Sequence, residues 1–398
     1  MAVPARHHAP GGAVPARSGV VDTGVHAHAR GGPAADALSL HRRSRPTVIG
    51  ERLPSYGPPP ASAGRRLLAR ALARPSLPAV VALVVVVVFF GVQAPGLRSD
   101  VGLAGVLDVA APLGIGAVAV ALLLVAGQFD LSAGAVALAS SLLTAVLVGP
   151  AGWPAWPALL VSLLAALLVG VVNGVLVVNT GLPSFLVTLA TFLVLQGVSL
   201  AGFQSVSGST QIGGLDDAPG WPSAAAVFGS SAVIGDARFH VAVVWWLVAT
   251  ALATWALWRT KFGNAVFAGG GARRAARELG VPVRRTTVAL FCLTATAGWL
   301  IGTLGLFRVE GVQLGNASLG TAIDFVVVAV IGGCLLTGGY GSAIGAAVAA
   351  LLYAVARQGI TLAGWDPRWF QTLLGALLLV ALVANGVVRR RLKARPRS

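Results

Sequence analysis

Charge is what this chain is short of. Asp, Glu, Lys and Arg make up 11% of its 398 residues, against about 25% in an ordinary soluble domain. That is too little charge to cover a water-facing surface, so the two or three soluble domains that length alone permits are not expected. Acidic residues are scarcer still, 13 against 29 Lys and Arg, and only two of those 29 are lysine. Cysteine occurs twice. Cys292 and Cys334 both fall inside apolar runs, where they build neither a disulfide framework nor a metal motif and read as small buried hydrophobes. No His-rich metal cluster, nucleophile–base constellation or cofactor motif lies in or near those runs. No catalytic or metal-binding residue is therefore assigned, and an enzyme is not expected.

What the chain has instead is apolar length. Hydrophobic residues make up 56% of it, and segments of about 20 such residues are long enough to cross a bilayer. Ten are expected, at 77–95, 105–127, 132–149, 156–178, 183–202, 239–258, 287–307, 319–336, 341–363 and 369–388. The 132–149 and 319–336 segments are short enough to be broken or partly re-entrant. The expected fold is an all-α polytopic membrane protein with about ten transmembrane helices. Residues 1–75, rich in Pro, Gly, Ala, Arg and His, read as a disordered basic tail. Residues 76–390 form the transmembrane domain and 391–398 a second basic tail. Five of the six histidines lie in the first tail, at irregular spacing that fits composition better than metal binding. The first apolar run begins too late for a signal peptide.

A net charge of +16 raises the question of nucleic acid, but its placement answers otherwise. Eleven Lys and Arg lie in residues 1–75, seven in 259–285 and six in 389–397. Three basic patches separated by apolar spans are the pattern that orients a membrane protein, with no nucleic-acid partner implied. Ten crossings put both termini on one side, and the positive-inside rule makes that side cytoplasmic. The 259–285 patch follows the sixth crossing and falls on the same side. The 203–238 loop falls outside, with Asp216, Asp217 and Asp236 against Arg238 alone.

The insert FGNAVFAGGGARRAARELGVPVRR, from Phe262 to Arg285, looks like a piece of soluble protein between two lipid spans. Ala272, Ala275, Ala276 and Leu279 are spaced i, i+3, i+4, i+7, one face of a helix. Arg273, Arg274, Arg277 and Glu278 occupy the rest, Gly280 stands at the C-cap position and Pro282 discourages continuation. A helix of about eight residues is marginal alone in water and needs a surface to dock on. The residues by themselves allow two readings, a helix docked in a groove or a basic loop on anionic headgroups. A phosphate-binding loop is not expected, because the Gly-Lys-Ser/Thr ending and the preceding strand are missing.

The insert resembles the cytoplasmic coupling loop of ABC-transporter permeases that import monosaccharides, the ribose and xylose type, in the branched-chain amino acid/sugar permease group. The match is carried by Phe262, Gly263, Ala268, Gly270, Gly271, Ala275, Ala276, Gly280, Val281 and Val283, whereas Gly271-Ala272-Arg273-Arg274 departs from the usual Asn and acidic residue. Three further stretches are similar to the same family, in the same order: GQFDLSAG (Gly127–Gly134), NGVLVVNTGLPSFLVTLATFLVLQGVSL (Asn173–Leu200) and AIDFVVVAVIGGCLLTGGYGSAIGA (Ala322–Ala346). The resemblance implies a permease subunit in a bacterial plasma membrane that pairs with a second copy or homologue. It implies two cytoplasmic ATPases that bind ATP and grip the insert, and an extracytoplasmic binding protein that delivers a pentose such as ribose or xylose. No cofactor is expected on this chain itself. Nucleosides or branched-chain amino acids are the alternative cargoes.

Polar residues in the spans are few, and each invites a role. Asp130 lies in the break between the second and third spans. It is expected to cap the helix starting near Ser132, in preference to touching substrate. Asn173, Thr188, Thr191 and Gln196 are candidates for a polar translocation path or for interhelical hydrogen bonds, with Pro183 in the same motif. Asp324 and Arg357 are placed to pair. Arg357-Gln358-Gly359 stands where the family often has Asn-Asn-Gly, an added cation that suits an anionic sugar if it is not simply neutralised. Gly332, Gly333, Gly338, Gly339 and Gly341 are read as close-packing positions and a tight cytoplasmic turn. A secondary transporter driven by protons or sodium would need a carboxylate-rich or broken-helix midplane site, and only Asp130, Asp324 and Asp108 offer one.

Overall fold

The apolar runs fold into helices in the computed structural model, which describes residues 76–208, 211–313 and 319–393. The tail at 1–75 and most of that at 391–398 lie outside the described residues. The long elements are α1 (Leu77–Gln93), α2 (Asp100–Val125), α3 (Ala133–Val148), α4 (Ala155–Thr180) and α5 (Ser184–Ser207). After a connecting segment with α6 (Trp221–Phe228) come α7 (Ala242–Arg259), α8 (Lys261–Gly271) and α9 (Arg273–Glu278). The chain ends with α10 (Val283–Val309), α11 (Leu319–Ile331), α12 (Ala343–Leu362) and α13 (Trp369–Lys393). Ten apolar helices thus stand where ten apolar runs were read. Seven are long and apolar enough to cross a membrane, and three are shorter: α1, α3 and most of α11. At 16 and 13 residues, α3 and α11 reach about 24 and 20 Å, less than the roughly 30 Å of a hydrocarbon core.

Apolar residues surround these helices on all sides, so burial within the protein separates them better than periodicity does. The most apolar stretches of α2, α10 and α12 are 72%, 61% and 67% buried, against 22%, 17% and 22% for α5, α7 and α13. The first three form the interior and the latter three the rim. Glycine sets the closest crossings: Gly170 and Gly174 lie against the α10 backbone at Cys292 and Val288, and Gly298 and Gly302 lie against α3 at Ala133 and Ala137. A Cβ at any of these would overlap the facing helix, as expected where small residues let backbones approach.

The all-α expectation needs one amendment. The segment read as a loop at 203–238 carries the end of α5, the helix α6 and three short strands: β1 (Gln211–Gly213), β2 (Ser231–Ile234) and β3 (Ala237–His240). A fourth, β4 (Gly311–Gln313), pairs antiparallel with β1, Ile212 opposite Val312, while β2 and β3 form a hairpin turning at Gly235. Asp108 of α2 ties this layer to the helices, bonding His240 Nδ1 at 2.8 Å and Arg308 at 3.0 Å.

Candidate functional site

The break between α2 and α3 is the most polar spot in the interior. The N–H groups of Gly127 and Gln128 close the end of α2 on Leu124 and Leu123, and Gly127 takes φ of +71°, a turn that glycine adopts without steric cost. Past the turn, hydroxyls at the start of α5 satisfy the exposed backbone. Phe129 N–H donates to Ser184 Oγ at 2.9 Å, and Leu131 N–H to Thr188 Oγ1 at 3.1 Å.

Asp130 is 1% exposed, and every bond it makes is therefore shielded from water. One carboxylate oxygen accepts from Ser132 N–H at 2.7 Å and Ser132 Oγ at 2.6 Å, and the other accepts from Thr294 Oγ1 of α10. The run continues sideways: Asn173 Nδ2 of α4 donates to Ser132 Oγ at 2.9 Å, and Thr191 Oγ1 of α5 donates to Asn173 Oδ1 at 2.6 Å. Thr294, Asp130, Ser132, Asn173 and Thr191 thus form one hydrogen-bonded line through four segments. Four of the five were singled out in the sequence. Thr294 was not, because it is a lone hydroxyl 164 residues from Asp130. Gln196 lies farther along α5, half-buried, and Pro183 precedes the first turn of that helix.

A cavity of about 410 Å³ adjoins this line. Val136, Val169 and Leu195 line it, each one helical turn from Ser132, Asn173 and Thr191 respectively. Buried hydroxyls also reach it. Ser162 accepts from Thr144 Oγ1 at 2.8 Å and Trp299 Nε1 at 3.0 Å. The volume falls within the range of small-molecule sites, about 300–1,000 Å³.

The insert packs against the same break. Its glycine run is helical, which the sequence reading did not anticipate. α8 spans Lys261–Gly271, with the Thr260 hydroxyl accepting from Gly263 N–H at 3.1 Å. Glycine lowers helix propensity, but here it permits contact: a Cβ at Gly270 would overlap the carbonyl oxygen of Val125, the last residue of α2. That carbonyl also accepts the Gly339 N–H at 2.8 Å. A Cβ at Gly338 would lie 2.9 Å from Gly127 Cα and 3.0 Å from Gly270 Cα. Gly338 and Gly339 have φ of +78° and +76°. Three segments, from α2, α8 and the turn after α11, therefore meet backbone to backbone. In that turn Gly332 lies as closely against Ala346 of α12, Gly341 fits beside Val125 and Cys334, and Gly333 has φ of +95°.

Two residues after Gly271 the surroundings change. α9 covers Arg273–Glu278 and ends at Gly280 (φ +77°), with Val281 N–H returning to Ala276 O at 3.0 Å. Ala272 and Ala275 are exposed, Leu279 is 84% exposed, and Ala276 alone of that face is buried, at 5%. The face is thus divided: Ala276 packs inward, and the other three are left exposed by the described residues. Phe262 packs beside the core. Arg274, Arg277 and Glu278 are exposed. Burial holds the Arg273 guanidinium below its usual range, with repulsion from Arg277 adding to it.

Asp324 and Arg357, placed to pair, make no direct ion pair, although the Arg357 charge still acts on Asp324. Tyr353 donates its hydroxyl to Asp324 at 2.9 Å, and Arg357 lies over the Phe370 ring at 6.0 Å. Tyr353 and Phe370 meet edge to face at 4.8 Å, an aromatic shelf that suits a guanidinium through its ring quadrupole. Among the described residues, no three His, Cys, Asp or Glu side chains gather where they could hold a metal ion.

Comparison with known proteins points one way. The family model described as branched-chain amino acid transport system / permease component matches residues 102–382. The fructose import permease protein FrcC of Rhizobium meliloti is 32% identical over 324 residues, 79% of this chain and 87% of that protein. Autoinducer 2 import system permease proteins LsrD from Photorhabdus luminescens and Yersinia enterocolitica are 29% and 31% identical over 277 residues, 69% of this chain and 80% of each. No solved structure matches the chain.

Proposed function

The chain belongs to the family of branched-chain amino acid transport system permease components, and from that premise we propose that it carries a monosaccharide across the membrane for an ATP-driven importer. It is a transport subunit and not an enzyme, like the import permeases it resembles. One observation carries the reading: a buried polar line beside a cavity shares the 125–132 segment with the insert whose exposed helix invites a partner.

In this reading ten helices cross a bacterial plasma membrane, with both termini and the basic insert on the cytoplasmic side. Two copies, or this chain and a homologue, form the translocation path. A separate ATPase subunit binds ATP and grips α9, and an extracytoplasmic binding protein delivers the sugar. When the ATPases close, α9 moves, and α8 passes the displacement through Gly270 to the end of α2. The break at Asp130 then shifts against α4, α5 and α10, changing access to the cavity. Such coupling requires an element with two arrangements that both sites bias, and a short hydrogen-bonded break between two helices is such an element.

The cargo is a monosaccharide, either a pentose such as ribose or xylose or a hexose such as the fructose named for one relative. The family description also names branched-chain amino acids, which makes leucine the competing cargo. Uptake of labelled ribose, xylose, fructose and leucine, compared in cells with and without this chain, tests the reading. ATPase-dependent uptake of one of the sugars supports it. Uptake of leucine alone, or sugar uptake that survives loss of the ATPase, overturns it.

A further inference from the structure

A second cavity, of about 440 Å³, opens between the end of α4 and the start of α10. Its composition is split. Arg284, Arg285 and Asn179 line one end, and Val175, Val178, Val288 and Ala289 line the rest. The two helices touch tightly at Gly174, where a Cβ would lie 2.7 Å from Val288 Cα, and the slot lies beside that crossing. Arg284 donates to Asn179 Oδ1 at 2.6 Å, a neutral partner that leaves its charge uncompensated. Among the described residues, neither arginine has a carboxylate within ion-pair distance. The surrounding 259–285 segment holds seven Lys and Arg against Glu278 alone. An exposed pair of like charges over an apolar slot, at the end of two membrane helices, lacks an anion with a hydrocarbon tail.

We infer that this slot binds an anionic phospholipid, its phosphate on Arg284 and Arg285 and an acyl chain along Val175, Val178, Val288 and Ala289. Guanidinium groups match phosphate oxygens in a planar, two-pronged geometry. Basic pockets between membrane helices hold acidic headgroups through the same chemistry. The lipid steadies the start of α10, where the insert ends at Arg284 and Arg285. The site depends on the chain spanning a membrane, not on what it transports.

The test is native mass spectrometry of the full chain in detergent, titrated with phosphatidylglycerol, with phosphatidylcholine and with inorganic phosphate. The wild type is expected to retain one phosphatidylglycerol that neither phosphatidylcholine nor inorganic phosphate displaces. Arg284→Gln together with Arg285→Gln is expected to weaken retention by at least about tenfold. Ala289→Trp, which fills the slot from an exposed position and keeps both charges, is expected to weaken it as well. Unchanged retention in the double arginine variant overturns the site. Unchanged retention in Ala289→Trp reduces it to headgroup attraction at the surface, and displacement by inorganic phosphate makes it a free-phosphate site; either result also overturns the proposal.

Discussion

Gly270 and Leu279 are nine residues apart and meet opposite surroundings. Gly270 lies so close to Val125 and Gly339 that no side chain fits. Leu279 is 84% exposed, although it is a large apolar residue at the end of a helix only six residues long. The first half of the insert is thus fixed to the protein by backbone contact, while the second half carries an apolar edge that the described residues leave exposed. A loop that merely lay on lipid would need neither the backbone contact nor its connection to the Asp130 break. The contrast fits the coupling proposed above, in which the insert would act as a lever: anchored at α8, gripped by the ATPase at α9, and joined to the polar line through the end of α2.

The largest effect is expected where the anchor is tightest. Gly270→Leu forces apart α2, α8 and the turn at 338–339, and should lower stability by about 1–3 kcal/mol or more, as overpacking of a filled interior does. Gly271→Ala is the control next door, since a Cβ there meets nothing within 4 Å, and it should stay within about 0.5 kcal/mol. Thermal melting of the purified chain in detergent compares the two. Equal melting temperatures would remove the anchor from the account.

The polar line comes next. Asp130→Ala leaves the hydroxyl and N–H of Ser132 without their acceptor in a dry interior, at a cost of about 1–3 kcal/mol for each donor left unpaired, while Thr294 keeps the Phe291 carbonyl at 3.0 Å. Asp130→Asn keeps the shape and one acceptor, and should lie between alanine and wild type in melting temperature. Uptake should fall in both. An alanine variant that melts and transports like wild type would mean that the line is incidental.

The ten apolar runs were legible because lipid requires uninterrupted apolar length, and that signal survives any arrangement of the helices. Their ends were less legible. α2 begins at Asp100, a charged residue made acceptable by the Ser99 hydroxyl capping Gly102 N–H, and α5 continues through Gln204 to Ser207. α8 was hidden by its glycines, whose weak helix propensity is overridden by contacts with residues far off in sequence. Asp130, Ser132, Asn173 and Thr191 stood out individually because polar groups are rare in such spans. Their joining into one line, with Thr294 at its end, depends on how α4, α5 and α10 pack, which no local pattern encodes. Asp324 and Arg357 looked like partners on charge alone, and the aromatic pair Tyr353 and Phe370 redirects both.

Two smaller changes sharpen the contrast within α9. Ala276→Arg places charge at a position 5% exposed and should destabilise the chain itself, whereas Ala275→Arg, one residue earlier and exposed, should leave melting unchanged. Smallest of all, Tyr353→Phe removes one hydrogen bond to Asp324, worth about 0.6–1.5 kcal/mol. It should shift the melting temperature slightly, with no loss of ATPase binding.

The most direct test of the lever is co-purification of the partner ATPase with the chain carrying Ala275→Arg and Leu279→Asp, beside wild type. Both positions are exposed, so the altered chain should insert and melt as wild type does while the ATPase is lost. An altered chain that retains its ATPase in full would show that α9 is not where the partner grips, and the account of how motion reaches Asp130 would be wrong.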